Sequence, residues 1–151
     1  MHKSVLSHKK HDIVDHLLST VRIDGICYAS IGVLKDDVIY SAFTHDKWQQ
    51  YYIENNVHMN DPTFQAALEV PEMPIFWDCV SLYTKEQIDV MRTRREVVGA
   101  RGGVTFSFNR NNKKLLLTLG TPTEKEMIGT VIKALSLLNV PEVLCSHLSS
   151  L

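Results

Sequence analysis

The chain has 151 residues, 44% of them hydrophobic and 22% charged, with a formal net charge of -1. That is enough for one domain with its own core, and the charge balance lacks the whole-chain basicity that nucleic acid attracts. Cys27, Cys79 and Cys145 form no C-x-x-C pair, which argues against a disulfide framework and for a reducing cytoplasm; no secretory h-region opens the chain, and no apolar run approaches a membrane span.

Residues 11 to 21 place Ile13, Val14, Leu17, Leu18 and Val21 at helical spacing, which predicts a first helix. Ile26 to Val33 and Val38 to Phe43 are β-rich and flank Lys35-Asp36-Asp37, which predicts a hairpin. Thr44 is read as the N-cap of a helix that carries Trp48 and Tyr52 on one face and ends at Asn55-Asn56. Asp61-Pro62 starts a short helix over Thr63 to Leu68, and Pro71 and Pro74 keep the next piece extended up to Trp77. Thr84 and Gln87 form a capping box for a helix to about Val98, stopped by the glycines of residues 99 to 103. Val104 to Phe108 and Lys113 to Leu119 pair around a turn at residues 109 to 112, and a capping box at Thr123 and Glu126 opens a last helix.

This order predicts an α/β fold: an α-β-α sandwich with a central antiparallel sheet. Residues 44 to 98 cover one face, with a ligand cavity between sheet and helices. The stretch from Trp48 to Trp77 is the richest in chemistry. Its aromatics with polar edges and one acid without a basic neighbour in sequence, Asp61, can wall a pocket for an apolar ligand with a polar head. The plainer reading is ordinary aromatic core, with Asp61 only capping the helix that Pro62 begins, and spacing alone favours it.

Other motifs carry less. His8 and His11 have helix-compatible spacing for a metal but lack an obvious third ligand, so no metal site is expected. Residues 99 to 103 follow a helix and precede a strand, the wrong order for a phosphate cradle. Arg92-Thr93-Arg94-Arg95 reads as a solvated basic face.

Trp48 and Tyr52, then Asp61-Pro62, then Pro74-Ile75-Phe76-Trp77, a long helix, and Gly103-Val104-Thr105 follow one another in a pattern that resembles the autoinducer-binding domain of LuxR-type quorum-sensing receptors. The resemblance spans nearly the whole chain. It implies a non-enzymatic cytoplasmic sensor that binds an N-acyl homoserine lactone or a similar molecule and needs no cofactor. By that resemblance the Trp48 indole donates to the lactone carbonyl and the Asp61 carboxylate accepts the ligand amide N–H, while Tyr52 and Trp77 pack on the head group. Tyr83 closes the same side, Thr63 flanks Asp61, and Thr105, Leu117 and Leu119, with Leu115, Ile31 and Val33, floor the acyl chain. A buried Asp61 without a partner would leave the empty receptor strained, wet or partly open.

The chain departs from the family's pattern at several points. Thr44 stands where the family usually has a tyrosine that donates to the acyl carbonyl. Leu119 lies near a position where relatives carry a hydroxyl that reads the third acyl carbon, which points to an unsubstituted chain. Arg95 falls on the apolar stripe Ile88, Met91, Arg95, Val98; its stem snorkels to solvent, or it reaches the cavity and binds an acidic ligand. No helix-turn-helix domain follows the sensor. The chain is expected to be a single domain over residues 1 to 151, either an excised sensor or a natural short protein, with the Met1 start favouring the latter. Expected partners are the small-molecule signal and a second copy or a full-length LuxR-type receptor as dimer mate, with no nucleic acid and no membrane. The alternatives are a small acyl-thioester or lactone enzyme using Cys79, Asp78 and His58, and a protein-interaction domain whose cavity is filled.

Overall fold

The computed structural model describes residues 2–4, 26–70, 72–123 and 129. The expected first and last helices, His8, His11 and Cys145 lie outside the described residues. The strands are β1 (His2–Ser4), β2 (Tyr28–Lys35), β3 (Val38–Phe43), β4 (Pro74–Phe76), β5 (Gly102–Arg110) and β6 (Lys113–Thr121). They form one sheet in the order β1-β3-β2-β6-β5-β4. Five strands run antiparallel, as expected, and the short β1 adds a parallel pairing to β3 that the sequence did not suggest.

Both hairpins turn on two residues with positive φ: Asp36 and Asp37 at 51° and 62°, Asn111 and Asn112 at 52° and 62°. Asp and Asn tolerate this left-handed region, and two such residues make the turn whose twist matches the flanking strands. The turns fix the register. Tyr28, Ser30 and Gly32 of β2 lie beside Phe43 and Ser41 of β3 and beside Gly120, Thr118 and Leu116 of β6. Gly103, Thr105 and Ser107 of β5 continue the same face. The opposite face carries Ala29, Ile31 and Val33 with Leu119, Leu117 and Leu115, all at most 3% exposed.

Three helices cross the first face: α1 (Asp46–Glu54), α2 (Pro62–Glu69) and α3 (Lys85–Val98). Trp48 and Tyr52 of α1 and Val98 of α3 join Tyr28 and Phe43 of the sheet in one buried cluster with Val57, Trp77 and Ala100. The capping box of α3 is present in both directions between Thr84 and Gln87, and Gly99 closes the helix at φ 71°. Thr44 does not cap α1. The helix starts one residue later, after His45, and the Thr44 hydroxyl instead accepts from the Ala29 N–H at 3.1 Å, tying the helix entrance to β2. Among the described residues no helix is long and apolar enough to cross a membrane.

Candidate functional site

Asp61 occupies the N-cap of α2, with Pro62 at the first helical position, and its Oδ1 accepts from the Thr63 N–H at 3.0 Å and the Thr63 hydroxyl at 2.8 Å. Asp61 thus caps α2, as the plainer reading expects, and leaves its second oxygen for the interior. The other carboxylate oxygen faces the interior: Oδ2 accepts from the Tyr52 hydroxyl at 2.6 Å and from Arg94 Nη2. Asp61 is 2% exposed and Arg94 3%. The acid expected to lack a partner has one on α3, so the prediction of a strained empty site is corrected.

Arg94, not Arg95, is the arginine that enters the fold; Arg95 is exposed. Arg94 stands four residues after Val90 and four before Val98, and Val98 is buried. That inward stripe was available in the sequence, and a frame starting at Ile88, which is half exposed, missed it. The Arg94 guanidinium carbon lies 5.6 Å from the Trp48 ring centroid and 5.0 Å from that of Trp77. The cation thus fills the slot between the two indoles that the resemblance assigns to a ligand head group, held by the ring faces and by Asp61.

Charge follows this geometry. Burial would raise the Asp61 carboxyl, but the Arg94 guanidinium and the hydrogen bonds from Tyr52 and Thr63 outweigh it and hold Asp61 below the usual carboxylate value. Burial disfavours the Arg94 cation, and Asp61 more than offsets that, so Arg94 stays charged. Burial raises the Tyr28 hydroxyl to about 12 and lifts Tyr52 well above its ordinary value.

Trp77 follows β4 in a short 3₁₀ turn, and its indole N–H donates to Thr105 Oγ1 at 3.2 Å. Thr105 shares a further hydrogen bond of 3.2 Å with Thr118 across the β5–β6 register. The indole packs against Gly103, where an added Cβ would lie 2.4–2.6 Å from three ring carbons, so the absence of a side chain at Gly103 lets Trp77 approach. Trp48 is fully buried, stands edge-on to Tyr52 at 5.6 Å between ring centroids, and its indole N–H meets no acceptor among the described residues, although it lies beside the Tyr28 hydroxyl.

A cavity of about 40 Å³ opens beside this cluster, bounded by Arg94, Tyr52, Phe43, Leu116, Thr105 and Thr118. It has room for roughly three waters. Of the predicted residues, Tyr52, Asp61, Thr63 and Thr105 line this cavity, and Trp48 and Trp77 stand in the aromatic cluster beside it. Three lie elsewhere. Tyr83 is 84% exposed and borders a separate open groove with Cys79. Leu117 and Leu119 lie on the opposite face of the sheet, because β5 and β6 pair Thr105 with Thr118 and place the odd-numbered leucines behind it. Leu116 and Thr118 take their places, and the Thr118 hydroxyl removes the argument for an unsubstituted chain drawn from Leu119. Nor do the enzyme candidates assemble around one cavity: Cys79 is exposed with Sγ 3.6 Å from Asp78, and His58 packs on Phe64.

Comparison with known proteins agrees with this architecture. No curated protein matches the chain significantly in sequence. The N-acylhomoserine lactone-dependent LuxR-family transcription factor CepR2 of Burkholderia cenocepacia shares the fold at 15% identity and TM-score 0.59, over 91% of this chain and 96% of that one. The VqsR ligand-binding domain of Pseudomonas aeruginosa does so at 13% identity and TM-score 0.66, over 91% and 84%. Escherichia coli SdiA matches at 18% identity and TM-score 0.58, over 86% of this chain and 62% of that one. The profile of the autoinducer binding domain matches residues 8–140, and the chain belongs to that family.

Proposed function

We propose that the chain is a quorum-sensing receptor module that binds a small acylated signal, an N-acyl homoserine lactone or an analogue, between the sheet and the helical insert. It serves as the sensor of a transcription regulator or as a stand-alone modulator that pairs with a full receptor. Family membership supports the class of function. The observation that carries the site is the convergence of Trp48, Tyr52, Asp61, Trp77 and Thr105, all at most 6% exposed, on one side of the sheet. An indole donor without an acceptor is a place for a ligand carbonyl.

Ligand pockets usually measure roughly 300–1,000 Å³. The cavity of about 40 Å³ must therefore widen to admit an acyl tail, with Arg94 bordering the head end of that space. A second reading has one observation in its favour: with Arg94 in the slot, the fold has an internal occupant and can serve as a ligand-free interaction domain.

Thermal melting separates the two. Amide- and ester-linked acyl lactones with four- to twelve-carbon tails are titrated against the purified chain. A concentration-dependent rise in Tm for at least one of them is expected from ligand linkage. An unchanged Tm across the whole set would favour the interaction domain.

A further inference from the structure

Asp61 has room for about four hydrogen bonds on its two oxygens. All four are taken: Thr63 N–H and Thr63 Oγ1 on Oδ1, Tyr52 Oη and Arg94 Nη2 on Oδ2. A ligand amide N–H that enters this site while Arg94 stays in place finds no acceptor on Asp61. The unmet groups nearby have the opposite polarity. Arg94 Nε is a buried N–H donor without an acceptor among the described residues, Trp48 Nε1 has only the Tyr28 hydroxyl beside it and makes no hydrogen bond of normal length, and the guanidinium carbon lies 5.6 Å from the Trp48 ring centroid. The third nitrogen of Arg94, Nη1, meets only the Met91 sulfur at 3.4 Å, a weak acceptor.

We propose that Arg94 is the specificity-determining residue of this pocket. By completing the hydrogen bonding of Asp61 it takes the place of an amide N–H, and it turns the site toward a guest whose head offers only hydrogen-bond acceptors, an O-acyl lactone or ketone in place of an N-acyl amide. This rests on the signal-binding reading above and narrows its ligand class. The head carbonyl accepts from the Arg94 and Trp48 N–H groups. The tail lies toward Leu116 and Phe43, where the cavity is already open.

Burying an N–H without an acceptor is costly, so discrimination of about tenfold between matched ligands is expected. The probes are N-octanoyl homoserine lactone and α-octanoyloxy-γ-butyrolactone, which differ only in the amide N–H replaced by an ester oxygen. Dissociation constants are measured by calorimetry for the wild-type chain and for Arg94→Met, which removes the guanidinium and keeps an unbranched stem. The wild type should bind the ester about tenfold more tightly, and Arg94→Met should reverse the order by freeing an Asp61 lone pair. The wild-type comparison decides whether or not Arg94→Met folds. Equal affinities, or a preference of the wild type for the amide, would overturn this inference alone. Binding of neither probe to either protein would overturn the signal-binding reading and this inference with it.

Discussion

Arg94 and Asp61, 33 residues apart in sequence, meet as an ion pair in which each side chain is only 3% exposed. The pair joins α3 to the start of α2 and stands where the family resemblance assigns a bound ligand's head. Removing one member leaves a buried charge without its partner, which costs roughly 3–5 kcal/mol. Asp61→Asn and Arg94→Met should each lower stability to urea by about that amount. The double variant removes both charges and should recover a large part of the loss. A double-mutant cycle measures the coupling, and strictly additive losses would mean that the pair contributes nothing as a pair.

Asp61 and the nearby buried Tyr28 set the pH range of stability. The folded Asp61 carboxyl lies below its ordinary value, so its contribution is present above the unfolded value and is lost as pH falls through the folded one. Stability should decline below about pH 4. Tyr28 acts at the other end. Its folded value of about 12 exceeds the unfolded one, so its contribution is complete below about pH 10 and is lost as pH rises toward 12. Urea midpoints measured across pH should show both limbs, with Tyr28→Phe flattening the alkaline one.

Gly103 and Gly99 make contrasting demands. A Cβ at Gly103 would lie 2.4–2.6 Å from three carbons of the Trp77 indole, so Gly103→Ala must push the ring aside and disturb its hydrogen bond to Thr105. Overpacking of this kind costs roughly 1–3 kcal/mol and should also weaken ligand response. Gly99 has φ 71° and open space around an added Cβ, so Gly99→Ala should cost about 1 kcal/mol through backbone strain while leaving ligand response intact. Melting curves with and without ligand distinguish the two.

Strand β6 alternates between two roles. Leu117 is fully buried on the face away from the cavity, so Leu117→Ala should cost roughly 2–5 kcal/mol and leave ligand selectivity unchanged. Leu116 borders the cavity, so Leu116→Ala should lengthen the preferred acyl chain. Affinities across a series of tail lengths provide the check.

Local chemistry was legible in the sequence and long-range pairing was not. The Asp61-Pro62 start of α2, the Thr84–Gln87 capping box and the turn residues of both hairpins act within a few residues, and each appears where the sequence placed it. The grouping of Thr105 with Leu117 failed because parity was compared along the chain, whereas a two-residue turn pairs odd positions with even ones across a hairpin. The same rule applied to Asn111-Asn112 would have named Thr118 and Leu116. Arg94 was missed because four consecutive residues, Arg92 to Arg95, hide which one turns inward, and its partner lies on another helix. Thr44 looked like a cap by residue type, but a hydrogen bond from β2 claimed its hydroxyl.

The two tryptophans of the chain both flank the proposed head site, so the indole region of a proton–nitrogen correlation spectrum reports on it with two signals. The Trp77 N–H already donates to Thr105, whereas the Trp48 N–H has no acceptor among the described residues. Addition of an acyl lactone that raises the Tm should move the Trp48 signal downfield as its N–H gains a carbonyl, with a smaller change at Trp77. A saturating ligand that leaves the Trp48 indole signal in place would contradict the assignment of this site.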